Sequence, residues 1–130
     1  MLAELLMGQL SAGMTDKDWA TQVIREAMER VGYQDMPEVR VVGPDHFLFN
    51  TPQKGAHVAV AARDPEGGEW IMLNSAHLPK RSTGAVQHEV GHIAAWRRHG
   101  EKIKPHGNQF KKACRQVTTE RPKHYCKGFY

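Results

Sequence analysis

Two histidines four residues apart, with a glutamate directly after the first, are the residues of this sequence best suited to chemistry. The segment His88-Glu89-Val90-Gly91-His92 has the H-E-x-x-H spacing. On an α-helix, four residues advance about 6 Å along the axis and about 40° around it, so both imidazoles can reach one tetrahedral zinc ion. Glu89 is offset beside them, where it can contact a water on the metal. The pattern predicts zinc-assisted hydrolysis with Glu89 as the general base.

A catalytic zinc site needs a third protein ligand, and three downstream residues are candidates. His99 lies on the same helical face as the motif but about 10 Å further along the axis than its second histidine. Glu120 would serve in a gluzincin-like arrangement, but it follows the last long predicted helix in a polar segment. His106 comes after Gly100, where the chain has turned and can return to the site. We therefore favour His106.

The motif must lie on a helix, and the surrounding sequence predicts one from Ser82 or Thr83 to His99. It ends before Gly100, a residue suited to the C′ position. Another helix is predicted from about Asn108 to Val117. A third, of about sixteen residues, follows a capping segment at Thr15 and ends near Gly32. Its apolar side chains recur every four residues, at Trp19, Val23, Ala27 and Val31.

Short β-type runs precede the motif helix and complete the predicted architecture. They cover residues 38–42, 46–49, 56–62 and 69–74, and the last two flank a turn-rich hairpin loop at 64–68. We expect an α+β fold in which helices pack around a small antiparallel sheet. Residues 1–14 are expected to fray, and residues 120–130 to form an irregular basic and aromatic tail.

Length and composition favour one soluble domain. The chain has 130 residues, and no apolar run is long enough for a membrane span or a signal peptide. Its two cysteines, Cys114 and Cys126, are expected to be free thiols in a reducing compartment, which we take to be the cytoplasm. A second zinc site built from both cysteines and His124 is the less favoured alternative. We expect a monomer.

The charge is divided unevenly along the chain. Residues 1–79 hold six basic and eleven acidic residues, a net charge of −5, whereas residues 80–130 hold twelve and three, a net charge of +9. Such a basic segment favours a polyanionic partner, nucleic acid before membrane. The candidate nucleic-acid-binding residues are Arg97, Arg98, Lys102, Lys104, Lys111, Lys112 and Arg115, with Phe110, Tyr125, Phe129 and Tyr130 as candidate stacking platforms. A plain solvated surface is the alternative.

Two blocks of residues resemble the SprT-like, or Spartan-type, zinc metalloproteases. The motif segment is followed, after thirteen residues that intervene between His92 and His106, by His106-Gly107-Asn108-Gln109-Phe110, which is similar to the family's H-G-x-x-[FW] context. Upstream, Trp70-Ile71-Met72-Leu73-Asn74 is similar to its I-x-L-N strand. The resemblance covers about residues 70–113, a third of the chain. The metzincin pattern is excluded, because the positions of its Gly and third His hold Ala95 and Arg98.

The resemblance implies a zincin-like fold with one catalytic zinc ion held by His88, His92 and His106. It also implies an endopeptidase acting on DNA-bound or DNA-crosslinked proteins or on itself, close to the nucleoid if it binds single-stranded DNA. The paired C-x-x-C motifs of the family's zinc ribbon are not present. A non-catalytic DNA- or protein-binding module with a structural zinc site is the competing hypothesis.

The remaining histidines and aromatic residues are expected to have smaller roles. His46, His57, His77 and His124 are expected to be surface or structural residues. Trp96 is expected to pack in the core, with a place in the cleft wall as the alternative. The sequence does not identify the residue that stabilises the oxyanion, although Tyr125, Tyr130 or a basic residue could reach the site.

Overall fold

A computed structural model describes residues 13–127, so the predictions for residues 1–12 and for Phe129 and Tyr130 lie outside the described residues. The helices and strands are α1 (Asp16–Arg30), β1 (Glu38–Val42), β2 (Ala59–Arg63), β3 (Glu69–Asn74), a 3-10 turn (Leu78–Lys80), α2 (Thr83–His99), α3 (Asn108–Val117) and the single-turn α4 (Pro122–Tyr125). The fold is α+β, as predicted. In that part of the chain, no helix is long and apolar enough to cross a bilayer.

Local sequence explains where the long helices begin and end. The Thr15 hydroxyl accepts a hydrogen bond from the Asp18 N–H at the start of α1. Gly32, with φ of +83°, follows the end of α1, and Gly100, with φ of +80°, ends α2. Both glycines adopt a backbone conformation that other residues rarely take, so the helices end where glycine occurs.

The sheet has three strands in the order β1-β3-β2, and it is mixed. β2 and β3 form the predicted antiparallel hairpin, but β1 runs parallel to β3, with Val39 beside Ile71. The prediction of an antiparallel sheet was therefore wrong. Alternation of apolar residues shows which strands have a buried face, but it carries no information on strand direction.

The predicted strand at residues 46–49 is a series of turns. The N–H groups of Phe49 and Asn50 both donate to the His46 carbonyl. Phe47 is 76% exposed and Phe49 only 1%, whereas a strand would place both on one face. Similar turns occupy residues 51–57, so β2 begins three residues later than predicted.

Helix α2 lies at the centre of the packing. One side of it meets α1 and the sheet in the largest apolar cluster, which includes Val86, Val90 and Ile93. Its other side meets α3, where Ala94 and Ala95 pack with Phe110 and Ala113. Residues 86–95 are buried throughout, so the motif lies inside the protein with its flanks fixed by packing.

Cys114 and Cys126 form a disulfide, so the prediction of free thiols was wrong. Cys114 lies on α3 and Cys126 directly follows α4, which the sequence had indicated as irregular tail. The twelve-residue separation along the chain gives no indication of this pairing, since the contact depends on how the last turn folds back onto α3. The pairing also excludes the alternative zinc site, which needed both thiolates.

Candidate metal centre

Three histidines from two parts of the chain meet beside α2. His88 and His92 come from successive turns of α2, and His106 from the loop before α3. One ligand nitrogen of each lies within 4.8 Å of those of the other two, so the group can hold a metal ion. The residues His88 and His92 are 1% and 8% exposed, and His106 is half-buried. His99, exposed at the end of α2, and Glu120 are outside this group.

Two glycines allow the chain to bring these elements together. A Cβ on Gly91, inside the motif, would lie 2.9 Å from the Cα of Cys114 on α3. A Cβ on Gly107, directly after His106, would lie 2.9 Å from the Cβ of Lys104. Both distances are too short for ordinary side chains. Gly91 therefore lets α3 approach α2 closely, and Gly107 lets the loop that carries His106 turn tightly before α3.

The orientation of His88 is set by a main-chain carbonyl. Its Nδ1 lies 2.6 Å from the carbonyl oxygen of Tyr125. A carbonyl only accepts hydrogen bonds, so His88 is the donor and carries its proton on Nδ1. The lone pair of the neutral ring is then on Nε2. Second contacts of this type orient the histidines of metal sites.

Phe110 forms the floor under all three imidazoles. Its ring centroid lies 4.8 Å from that of His88, 4.2 Å from His92 and 5.1 Å from His106. The residue is completely buried on α3. It therefore positions the histidines and is not accessible as the nucleic-acid stacking platform that the sequence indicated.

Burial controls the protonation of the central residues. Desolvation, with smaller contributions from His88 and His106, lowers the pKa of His92 to about 2. Its imidazole is therefore neutral, as a metal ligand must be. Desolvation also raises the pKa of Glu89 to about 8, against the opposing effects of the Ala61 N–H and of Lys54.

Glu89 uses its two oxygens differently. Oε1 accepts a hydrogen bond of 2.9 Å from the backbone N–H of Ala61 on β2. Oε2 lies 3.8 Å from Nε2 of His88, the nitrogen that carries the lone pair. One oxygen is thus fixed by the edge strand, and the other is next to the candidate ligand nitrogens without belonging to their group.

A cleft of about 470 Å³ opens over these residues. Its lining includes Glu89, His92, His106 and the β2 edge strand. Trp96 is both a core residue and part of this wall, its ring 5.8 Å from that of His92. A second cavity, which is also lined by Glu89, includes His57 and Tyr125. His57 lines both cavities.

His57 was expected to be a surface or structural residue, but it lies at the candidate site. Desolvation lowers its pKa, as do the nearby Lys54 and His106. The Asn74 side chain donates to the His57 carbonyl and so ties this loop to the end of β3. The only sequence indication was Asn74 itself, a polar residue ending an apolar strand.

Glu120, the alternative third ligand, and Tyr125, a candidate for stabilising the oxyanion, both contact the start of α2. Oε1 of Glu120 accepts the backbone N–H of Gly84 in the first turn of α2, where a carboxylate is stabilised by the helix dipole. The hydroxyl of Tyr125 is 3.0 Å from that of Ser82. Both contacts fasten the end of the chain to the start of α2.

The candidate nucleic-acid-binding residues are not equivalent. Arg97 donates to both oxygens of Glu69 and to Asp35, and its guanidinium lies 4.8 Å from the Tyr33 ring centre. Arg98 donates to Gln116 on α3. Lys102, Lys104, Lys112 and Arg115 are exposed, and Lys111 is half-buried. None of the ion pairs formed within residues 13–127 includes these five residues.

No protein-family model, no curated protein and no solved structure matches this chain.

Proposed function

We propose that this chain is a zinc-dependent endopeptidase with a zincin-like fold and a site of the SprT-like type. One observation carries the proposal. His88, His92 and His106 bring their ligand nitrogens within 4.8 Å of one another, beside the carboxylate of Glu89 and at the wall of a cleft. The resemblance in residues 70–113 supports the same conclusion.

The chemistry of the donor set fits zinc. Three neutral imidazoles with a remaining open position are a common ligand set of catalytic zinc. His88, His92 and His106, whose ligand nitrogens lie within 4.8 Å of one another, would hold the ion. When bound, zinc would supply a Lewis acid that lowers the pKa of water and polarises the substrate carbonyl.

Glu89 is the residue that moves the proton in this proposal. The charge of a bound metal ion would lower the pKa of Glu89 from its raised value of about 8. With Oε1 held by the Ala61 N–H, Oε2 of the ionised carboxylate would then be left to accept a proton from the attacking water. The same oxygen then delivers the proton to the leaving amine. Glu89 lines both cavities, so it is accessible to a peptide bound in either of them.

His57 is the residue we propose for stabilising the charge that develops on the carbonyl oxygen. It lines both cavities beside Glu89, where an imidazole N–H can donate a hydrogen bond to that oxygen. This choice replaces Tyr125, whose hydroxyl is placed against Ser82.

The competing function is a non-catalytic binding module with a structural zinc ion. Structural zinc sites are closed by four protein ligands. The described residues bring together three, next to a carboxylate and an open cleft. These features favour catalysis over a structural clamp.

A DNA-associated substrate is the second part of the proposal. Lys112 and Arg115 are three residues apart on the exposed side of α3, and its buried side carries Phe110 beneath the histidines. A polyanion bound along α3 would therefore lie on the side of that helix opposite Phe110. Proteins attached to DNA are the substrates that this arrangement suits.

Metal analysis with matched histidine variants tests the metal centre. We expect about one zinc ion per chain in the wild type and a loss of zinc in His106→Ala, because only three protein ligands hold it. His99→Ala, which removes an exposed histidine from the same region, should retain zinc. The reverse order would show that the third ligand is wrong. Stoichiometric zinc without cleavage of casein or of the chain itself, with and without single-stranded DNA, would favour the binding module.

A further inference from the structure

The disulfide and the metal centre are joined through a single residue. Cys114 and Cys126 are 0% and 2% exposed, and Cys126 directly follows Tyr125. The Tyr125 carbonyl is the group that accepts the Nδ1 proton of His88. The covalent bond to α3 is therefore one residue away from the hydrogen bond that orients a metal ligand.

Only the last part of the chain depends on this bond. Upstream, the side chain of Gln87 accepts from the backbone N–H of Thr119 and donates to its hydroxyl. Residues 118–120 are thus fastened to α2 independently of the disulfide. Beyond Arg121, the described residues form the single turn of α4 and the two residues after it. One turn of helix is not stable on its own.

Tyr125 is the residue of α4 that contacts the start of α2. The Tyr125 ring packs against Gly84, where a Cβ would lie 2.2 Å from it, and its hydroxyl meets Ser82. Cutting the disulfide leaves these contacts to hold the segment. The Tyr125 carbonyl is then held less tightly, so His88 can rotate or change tautomer more easily.

We propose that the metal affinity of the three-histidine site is linked to the oxidation state of the Cys114–Cys126 disulfide. A dithiol reductant supplies two electrons and two protons: the sulfur–sulfur bond breaks, both cysteines become thiols, and the reductant is oxidised to its own disulfide. The reduced protein loses the constraint on Tyr125 and binds zinc more weakly. Loss of such an outer contact typically lowers metal affinity 10–100-fold. This inference rests on the proposed metal centre.

Zinc affinity measured in both oxidation states tests the link. Oxidised protein and protein reduced with a phosphine, which does not chelate zinc as a dithiol does, are titrated against a chromophoric zinc chelator. We expect about 10–100-fold weaker zinc binding after reduction. Circular dichroism of each sample establishes that the comparison is between folded proteins.

Two variants separate the link from other effects. Cys114→Ala/Cys126→Ala has no thiolate to bind zinc, so it should match the reduced wild type and show no response to phosphine. Val117→Ala removes buried volume from α3 without touching Tyr125, so it should lower stability yet keep the oxidised affinity and the phosphine response.

The histidine tautomer provides a readout that needs neither zinc nor catalysis. Nitrogen NMR of the metal-free oxidised protein should show His88 protonated at Nδ1, and reduction should convert it to a mixture of tautomers. Equal zinc affinity and an unchanged tautomer in both states would overturn the redox link while leaving the metal centre intact. Absence of zinc binding in both states would instead contradict the proposed function itself.

Discussion

The two oxygens of the Glu89 carboxylate have different neighbours, the Ala61 N–H for one and the His88 ring for the other. Because Ala61 holds Oε1, only Oε2 is directed to the metal-binding nitrogens. Glu89→Gln keeps the size and the hydrogen-bond acceptor but removes the basic oxygen. We expect it to retain zinc and to lose at least about 10²-fold in the rate of peptide cleavage. Glu66→Gln, in the exposed hairpin loop, is the control and should cleave normally. Turnover near the wild-type rate in Glu89→Gln would contradict the catalytic role.

His57 is the residue whose role differs most from the one its local sequence indicated. If it stabilises the developing oxyanion, His57→Ala should lower kcat by about 10²-fold with little change in KM or zinc content. His57→Gln, which restores a hydrogen-bond donor, should recover part of the rate. A loss of zinc in His57→Ala would instead assign the residue to maintaining the ligand group.

At the scale of elements, the site depends on how closely α2 and α3 approach. Gly91→Ala places a methyl group against the backbone of Cys114, which cannot move without shifting α3. We expect a loss of about 1–3 kcal/mol in the free energy of unfolding and weaker zinc binding, because α3 carries Phe110 and follows His106. Urea denaturation and metal analysis measure the two effects. Gly91→Ser adds one further atom and should cost more. Wild-type stability in both variants would show that the helices have room to separate.

The same scale explains which elements could be predicted from the sequence. The bounds of α3 and β3 were predicted correctly, and those of α2 to within one residue, because apolar spacing, Gly100 and turn residues act within a few positions. The parallel pairing of β1 with β3 depends on the route of the chain between them, and no local pattern records it. Residues 46–49 were misassigned because the apolar residues at 47 and 49 imitate alternation while facing different surroundings.

Part of the candidate site could be predicted from the sequence, and part of it could not. His88, Glu89 and His92 were predictable because one helix sets their spacing, and His106 because Gly100 ends that helix. The contacts from Tyr125, Ala61 and His57 come from distant segments, and two of them use backbone atoms that every residue possesses. The identities of the side chains at positions 61 and 125 therefore gave no indication of these two backbone contacts.

At the scale of the whole molecule, the uneven charge predicts salt-dependent binding of single-stranded DNA. Each phosphate neutralised releases condensed counterion, so affinity should fall steeply between about 50 and 200 mM salt. Lys112→Ala/Arg115→Ala should weaken binding and reduce the salt slope by up to about 0.7 for each lost contact, with zinc retained. Fluorescence anisotropy with a labelled oligonucleotide measures both quantities.

The matched control for this prediction is Lys17→Ala/Arg25→Ala, which removes the same charge from the exposed side of α1. It should leave the affinity and the slope nearly unchanged, because α1 belongs to the acidic part of the sequence. Equal losses in the two double variants would show that binding responds to net charge alone. Absence of binding at low salt would leave the basic residues as an ordinary solvated surface.

The position of Phe110 beneath the three imidazoles has a consequence for how the metal is acquired. Because that ring and the cores on both sides of α2 hold the ligands in place, they are preorganised, and metal binding does not have to bring about folding. Zinc fingers behave in the opposite way, since their ligands are ordered only by the ion. The apoprotein should therefore be folded. It should bind cobalt, which serves as a spectroscopic reporter, without a refolding step.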